Sequence, residues 1–98
     1  MILFDYQKAM AQVRELRQIA GDMRRLHSQT LTEIKSGVDN GWKGETGQRF
    51  LAKCAQLQGR IEKEANTISQ LADSLENTAN QIAKEERAAA EMLAAKLK

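Results

Sequence analysis

One glycine-rich break divides this 98-residue chain into two long segments, each carrying a helical heptad pattern. Gly37, Gly41, Gly44 and Gly47 place four of the six glycines within eleven residues. Glycine lets a chain reverse where a helix would otherwise continue. Trp42, the only tryptophan, stands inside that break. The chain has no proline and few aromatic residues, a composition that favours long helices over sheet. The expected fold is all-α: a helix-turn-helix antiparallel hairpin. Helix 1 is expected over about 5–36, the turn around Trp42 over about 37–44, and helix 2 over about 45–96 with a fraying tail.

In the first segment, Ala9, Val13, Leu16, Ala20, Met23, His27, Thr30 and Ile34 recur at alternating steps of four and three. Ile19, Leu26, Leu31 and Val38 lie beside this seam, so the apolar stripe suits contact with more than one neighbour. The second segment repeats the alternation through Phe50, Cys54, Leu57, Ile61, Glu64, Ile68, Leu71, Leu75, Thr78, Ile82, Glu86, Ala89 and Leu93. Small neighbours at Ala65, Ala72, Ala79 and Ala83 permit close helix approach, while Lys63, Asp73, Glu76 and Lys84 fall outside. Glu64 and Glu86 read as polar residues that set register.

At 1.5 Å per residue the first helix spans roughly 48 Å and the second roughly 75 Å, so the second overhangs. The first helix is expected to run out opposite residue 80 or so, leaving an alanine-rich end from Ala83 to Lys98 with little apolar area to dock. Two helices shield each other along one line only, and a hairpin of this size leaves much of both stripes in water. A second hairpin covers them, most simply in a twofold four-helix bundle. Val13, Leu16, Met23, Ile34, Leu57, Ile61, Ile68 and Leu75 are the candidates for that bundle core.

Other functions find little support. A formal charge of +2 is nearly balanced and gives no sign of nucleic acid as a partner. The basic cluster Arg14, Arg17, Arg24 and Arg25 reads as a solvated face, interrupted by Glu15 and Asp22. No stretch approaches the roughly twenty apolar residues that span a membrane, and Met1-Ile2-Leu3-Phe4-Asp5 does not look like a signal peptide. His27 and Cys54 are each single, so a metal site or a nucleophile with its base is not expected; His27 reads as a seam residue and Cys54 as a small core residue. The glycines lack the strand and lysine of a phosphate loop, and no Glu-x-x-His pair suggests a di-iron bundle. No cofactor and no enzymatic activity are expected.

Trp42 and Gly44 form W-x-G, and Phe50 follows the tryptophan by eight residues within a hairpin of about one hundred. This resembles the WxG family, the early-secreted-antigen-like small helical hairpins of bacterial type VII secretion, and the resemblance covers essentially the whole chain. It implies a homodimer or heterodimer exported folded, by a route independent of a signal peptide, from the cytoplasm to the outside or the cell surface. It also implies that Trp42 contributes to a bipartite export signal read by the secretion ATPase, with Gly44 allowing close approach beside it and Phe50 anchoring the turn. The other half of the family's signal is a tail tyrosine with an acidic residue four positions later. Here the tail has no aromatic residue; Tyr6 lies in the first helix, with Met10 where the acid would be.

The family pattern offers three accounts of that gap: the signal sits on a partner hairpin, the chain escorts a larger toxin with a helical N-terminal domain, or export uses another feature. A structural coiled-coil adaptor with no secretion role is the alternative, in which Trp42 only caps a bundle end. A pore-forming amphipathic helix fits less well, because the apolar face is taken up by the heptad seam.

Overall fold

The computed structural model describes residues 4–41 and 44–97. It is a rod of 82 × 15 × 14 Å. Helix α1 runs over Tyr6–Arg25, a single π turn follows over Leu26–Thr30, and α2 continues the same arm over Leu31–Gly41. Helix α3 returns over Glu45–Leu97. The fold is an all-α antiparallel hairpin, without a strand among the described residues.

Local chemistry explains the ends. Asp5 caps α1, its Oδ1 accepting the Lys8 amide at 3.0 Å, while Arg24 and Arg25 close its last turn, where the helix dipole favours cations. Gly44 has φ 89°, the left-handed conformation that side chains resist, and its carbonyl accepts the amide of Gln48 as α3 begins. Glu45 in the first turn suits the positive end of the dipole.

The first arm is longer than the glycine spacing implies. It stays helical through Gly41 rather than stopping near 36, so Gly37 and Gly41 are helical residues and the reversal is left to the short stretch before α3. Val38 explains this, because it is buried against the hairpin and its packing offsets the cost of glycine in a helix, about 1 kcal/mol each.

The π turn is the second departure. Its Leu31 amide reaches back five residues to the Leu26 carbonyl, which adds one residue to the helical repeat. Before the turn the inward column is Val13, Ala20 and His27, beside Leu16 and Met23. After it the columns resume one residue late, at Leu31, Lys35 and Val38 rather than at Thr30 and Ile34. Leu31 and Val38 are buried, whereas Thr30 and Ile34 are exposed. An uninterrupted heptad would have turned Thr30, Ile34, Gly37 and Gly41 inward, so the bulge puts Leu31 and Val38 inside in place of Thr30 and Gly37 and sends Ile34 to the outer face.

In α3 the innermost column is Ala65, Ala72 and Ala79, 0%, 0% and 3% exposed, with Gly47 and Cys54 buried nearer the tip. The column Phe50, Leu57, Glu64 and Leu71, expected in the seam, lies one step around the helix and is exposed. The smallest side chains won the interior because they let the helix axes approach most closely. Support from the first arm extends to Glu86, whose Oε1 accepts the Phe4 amide at 3.3 Å, and α3 then continues as helix through Leu97.

Because the π turn holds one surplus residue, deleting Gln29 should restore a regular helix with both columns in line. Its thermal midpoint by circular dichroism, at matched concentration, should stay within about 5 °C of the parent. Deleting Gln18, where there is no surplus, rotates Val13 and Arg17 out of place and should lower the midpoint by about 10 °C or more.

Candidate functional site

With the seam assigned, the hairpin has two unlike flanks. On one, polar side chains bridge the arms at intervals of one to three turns. Tyr6 Oη donates to Asn80 Oδ1 at 2.7 Å. Arg17 lies between two carboxylates, 3.0 Å from Asp73 and 3.1 Å from Glu76. Arg24 donates to Asn66 Oδ1 at 3.2 Å and to Ser69 Oγ at 2.9 Å. His27 Nε2 is 3.7 Å from Glu62 Oε2.

Heptad spacing produces this ladder: Arg17 and Arg24 are seven apart, as are Asn66, Asp73 and Asn80 on α3. Two members of the basic cluster are therefore committed to the hairpin rather than forming a free solvated face. That signal was present in the sequence as matching sevenfold columns of opposite polarity on the two helices.

At the π turn the ladder becomes a relay. Gln58 Nε2 donates to the backbone oxygen of His27 at 3.0 Å, and Lys35 Nζ donates to Gln58 Oε1 at 3.3 Å. A bulge disturbs the regular backbone ladder, and here a side chain of the opposite helix bonds to a carbonyl inside it. Lys35 occupies the inward column, and its amine ends on a partner rather than in apolar packing.

Electrostatically, the Arg17 contacts dominate. Its hydrogen bonds to Glu76 and then Asp73 hold the guanidinium above its ordinary pKa, and the hydrogen bond from Arg17 holds the Glu76 carboxyl below its ordinary 4.5. A depressed carboxyl stabilises the fold above the unfolded value and loses that contribution as pH falls through the folded one.

The other flank is apolar. Ile19 and Leu26 are seven apart on the first arm, and Ile34 follows after eight because the π turn supplies the extra residue. Facing the same way on α3 are Phe50, Leu57, Leu71 and Leu75, and these seven side chains are between 38% and 49% exposed. Gln12, Leu75 and Thr78 line one cleft of about 210 Å³, which places the outer columns of the two helices on the same side of the rod. Without the bulge, the residue continuing Ile19 and Leu26 would be Glu33.

The expected site residues sort onto this geometry. Val13 is 1% exposed and belongs to the hairpin interior, with Leu16, Met23, Ile61 and Ile68 half-buried at its edge. Ile34, Leu57 and Leu75 lie on the outer apolar flank, as does Phe50. Gly44 makes the reversal. Trp42 lies outside the described residues. Cys54 is buried in the seam and reduced. Among the described residues no group of three or more His, Cys, Asp and Glu side chains could hold a metal ion, and no helix is long and apolar enough to cross a membrane.

The family model WXG100, described as proteins of 100 residues with WXG, matches residues 2–87. The chain is a WXG100 protein. Members of the family are small helical secreted proteins rather than known enzymes; they typically self-associate as hairpins, leave the cell without a signal peptide, and are associated with substrates of type VII secretion. The matched stretch ends one residue past Glu86, the last residue of α3 that hydrogen-bonds the other arm among the described residues. No curated protein and no solved structure matches the chain.

Two measurements check this assignment of parts. Gly37→Ala, in open space on a helix, should stabilise the WXG100 hairpin by about 0.5–1 kcal/mol, whereas Gly44→Ala should cost about 1–2 kcal/mol through its positive φ alone. The difference in thermal midpoint between the parent and Arg17→Ala should be full near neutral pH. It should close as pH falls below the ordinary carboxylate value of 4.5 and through the folded value of Glu76.

Proposed function

We propose that this WXG100 chain acts without enzymatic chemistry in type VII secretion, as a small secreted protein or as the escort of one, and that it works as a hairpin paired with itself or with a related hairpin. The observation that carries this reading is the division of the rod into a flank bridged by polar side chains and a flank of part-exposed apolar side chains. A hairpin so divided closes a four-helix bundle by setting its apolar flank against another of the same kind.

In that bundle Val13, Leu16, Met23, Ile61 and Ile68 maintain the hairpin, and Ile34, Leu57 and Leu75 meet the partner. Trp42, Gly44 and Phe50 form the recognition end. The secretion ATPase is the natural reader of that end, and a larger toxin with a helical N-terminal domain is a natural cargo for an escort. The whole chain, 1–98, then serves as one unit, cytoplasmic before export and outside or on the cell surface after it.

An antiparallel twofold arrangement sets the tip of one hairpin toward the α3 tail of the other, because the two rods then run in opposite directions. A tail signal carried by a related hairpin would then stand near this chain's tip.

Replacing Trp42 with alanine should lower the amount of protein in the culture medium at least several-fold, in a cell with its own type VII system, while circular dichroism and intracellular level stay near those of the parent. Undiminished export would remove Trp42 from the recognition end.

A further inference from the structure

Helix α3 holds His27 at two points. Gln58 Nε2 donates to its backbone oxygen at 3.0 Å, and Glu62 Oε2 lies 3.7 Å from its ring Nε2. Gln58 and Glu62 are four residues apart, so a single turn of α3 grips one residue of the π turn. The regular backbone ladder of the first arm is interrupted there, which makes the π turn the joint between α1 and α2. The His27 side chain is 32% exposed and borders an open cleft of about 220 Å³ with Arg24, Ser28, Glu62 and Asn66.

The charge within this grip changes near neutral pH. Histidine is the side chain that ordinarily gains its proton between about pH 8 and about pH 5, and the chain has one. On the α3 side of the cleft Glu62 is charged, while Asn66 and Gln58 are neutral. On the first arm two cations stand nearby. Arg24 donates to Asn66 and Ser69, one and two turns along α3 from Glu62, and Lys35 donates to Gln58 Oε1. For a neutral ring 3.7 Å is too long for a hydrogen bond, whereas for a protonated ring it makes an ion pair between the arms. Glu62 has no other ion pair among the described residues, and both cations have partners of their own, so attraction to Glu62 outweighs repulsion from Arg24 and Lys35.

We infer that His27 and Glu62 form a proton-dependent clasp on the π turn, open in alkaline and closed in mildly acidic surroundings. The charged ring meets Glu62 only in the folded hairpin, so the proton stabilises the fold. That contribution is complete once the ring is charged and is lost as pH rises and the proton leaves. Carboxylates stay ionised over this range, so the Arg17 pairs with Asp73 and Glu76 contribute alike at both ends of it.

Thermal midpoints by circular dichroism at about pH 8 and about pH 5.5 test the clasp in the full-length chain, at matched concentration and ionic strength. The set is the parent, His27→Gln, Glu62→Gln and the double variant; differences between them remove any other group that titrates in the range. The advantage of the parent over His27→Gln should be about 2–4 °C larger at the lower pH, and its advantage over Glu62→Gln should grow by a similar amount. With Glu62→Gln already in place, adding His27→Gln should produce no such growth. Amide exchange within the π turn, corrected for the intrinsic effect of pH, should slow several-fold more on acidification in the parent than in either variant, which locates the gain at the joint.

An advantage over His27→Gln that is equal at the two pH values makes His27 an ordinary polar seam residue and overturns the inference. Growth that persists without Glu62 overturns it as well, because another group then answers the ring. An advantage that shrinks at the lower pH does the same, since repulsion from Arg24 then prevails. Should His27→Gln lose its helix, Glu62→Gln, a change at an exposed side chain, carries the same comparison by itself: a deficit that does not grow on acidification ends the proposal.

Discussion

Close contact between α1 and the alanine column of α3 is the constraint from which the other features follow. Ala65, Ala72 and Ala79 have no side chain beyond the β carbon, so Val13 and Ala20 can be sealed from water by backbone as much as by neighbours. Using small residues inside has a price on the outside. The larger apolar side chains of α3, Leu57, Leu71 and Leu75, are displaced around the helix onto a flank that the first arm covers only in part. Hairpin formation and the part-exposed apolar flank are thus two results of one distribution of residue sizes.

The π turn reconciles the two arms with that distribution. One surplus residue rotates α2 so that Leu31 and Val38 turn inward while Ile34 joins Ile19 and Leu26 outside. Inner and outer columns are both served by the same shift, and Gln58 reaches across to bond a carbonyl within the bulge. The opposite flank holds the register by charge and hydrogen bonding, yet its side chains stay in contact with water, where ion pairs are individually weak. Repetition at sevenfold spacing spreads that bonding along the rod, so it does not rest on the strength of any one pair.

Much of this was legible in the chain. The helical class, the hairpin, the family and the start of α3 follow from the absence of proline, the heptads and the W-x-G at the break. The seam of α3 was harder to read because hydrophobicity ranks Leu57 and Leu71 above Ala65 and Ala72, whereas the interior was chosen by size. The π turn was invisible for a related reason. A strict four-three alternation through Thr30 and Ile34 exists in the sequence, and only the packing of Leu31 and Val38 against α3 rejects it. Gly37 and Gly41 look like breakers until the burial of Val38 between them is known. The ladder around Arg17 and Arg24 was present as spacing, but pairing two columns of opposite polarity requires the alignment of the arms to be fixed first.

The termini of the rod give it a mechanical character. Phe4 bonds Glu86, so the beginning of the first arm and the free end of α3 lie at one pole, while the turn lies at the other. Tension applied between the start of the chain and the tail therefore peels the seam open one contact after another, from Glu86 toward the tip. Tension between the tail and the turn instead runs along α3 itself, where the backbone hydrogen bonds of one unbroken helix share it. A rod drawn tail-first while held at its turn keeps its seam; one held by its first residues unzips.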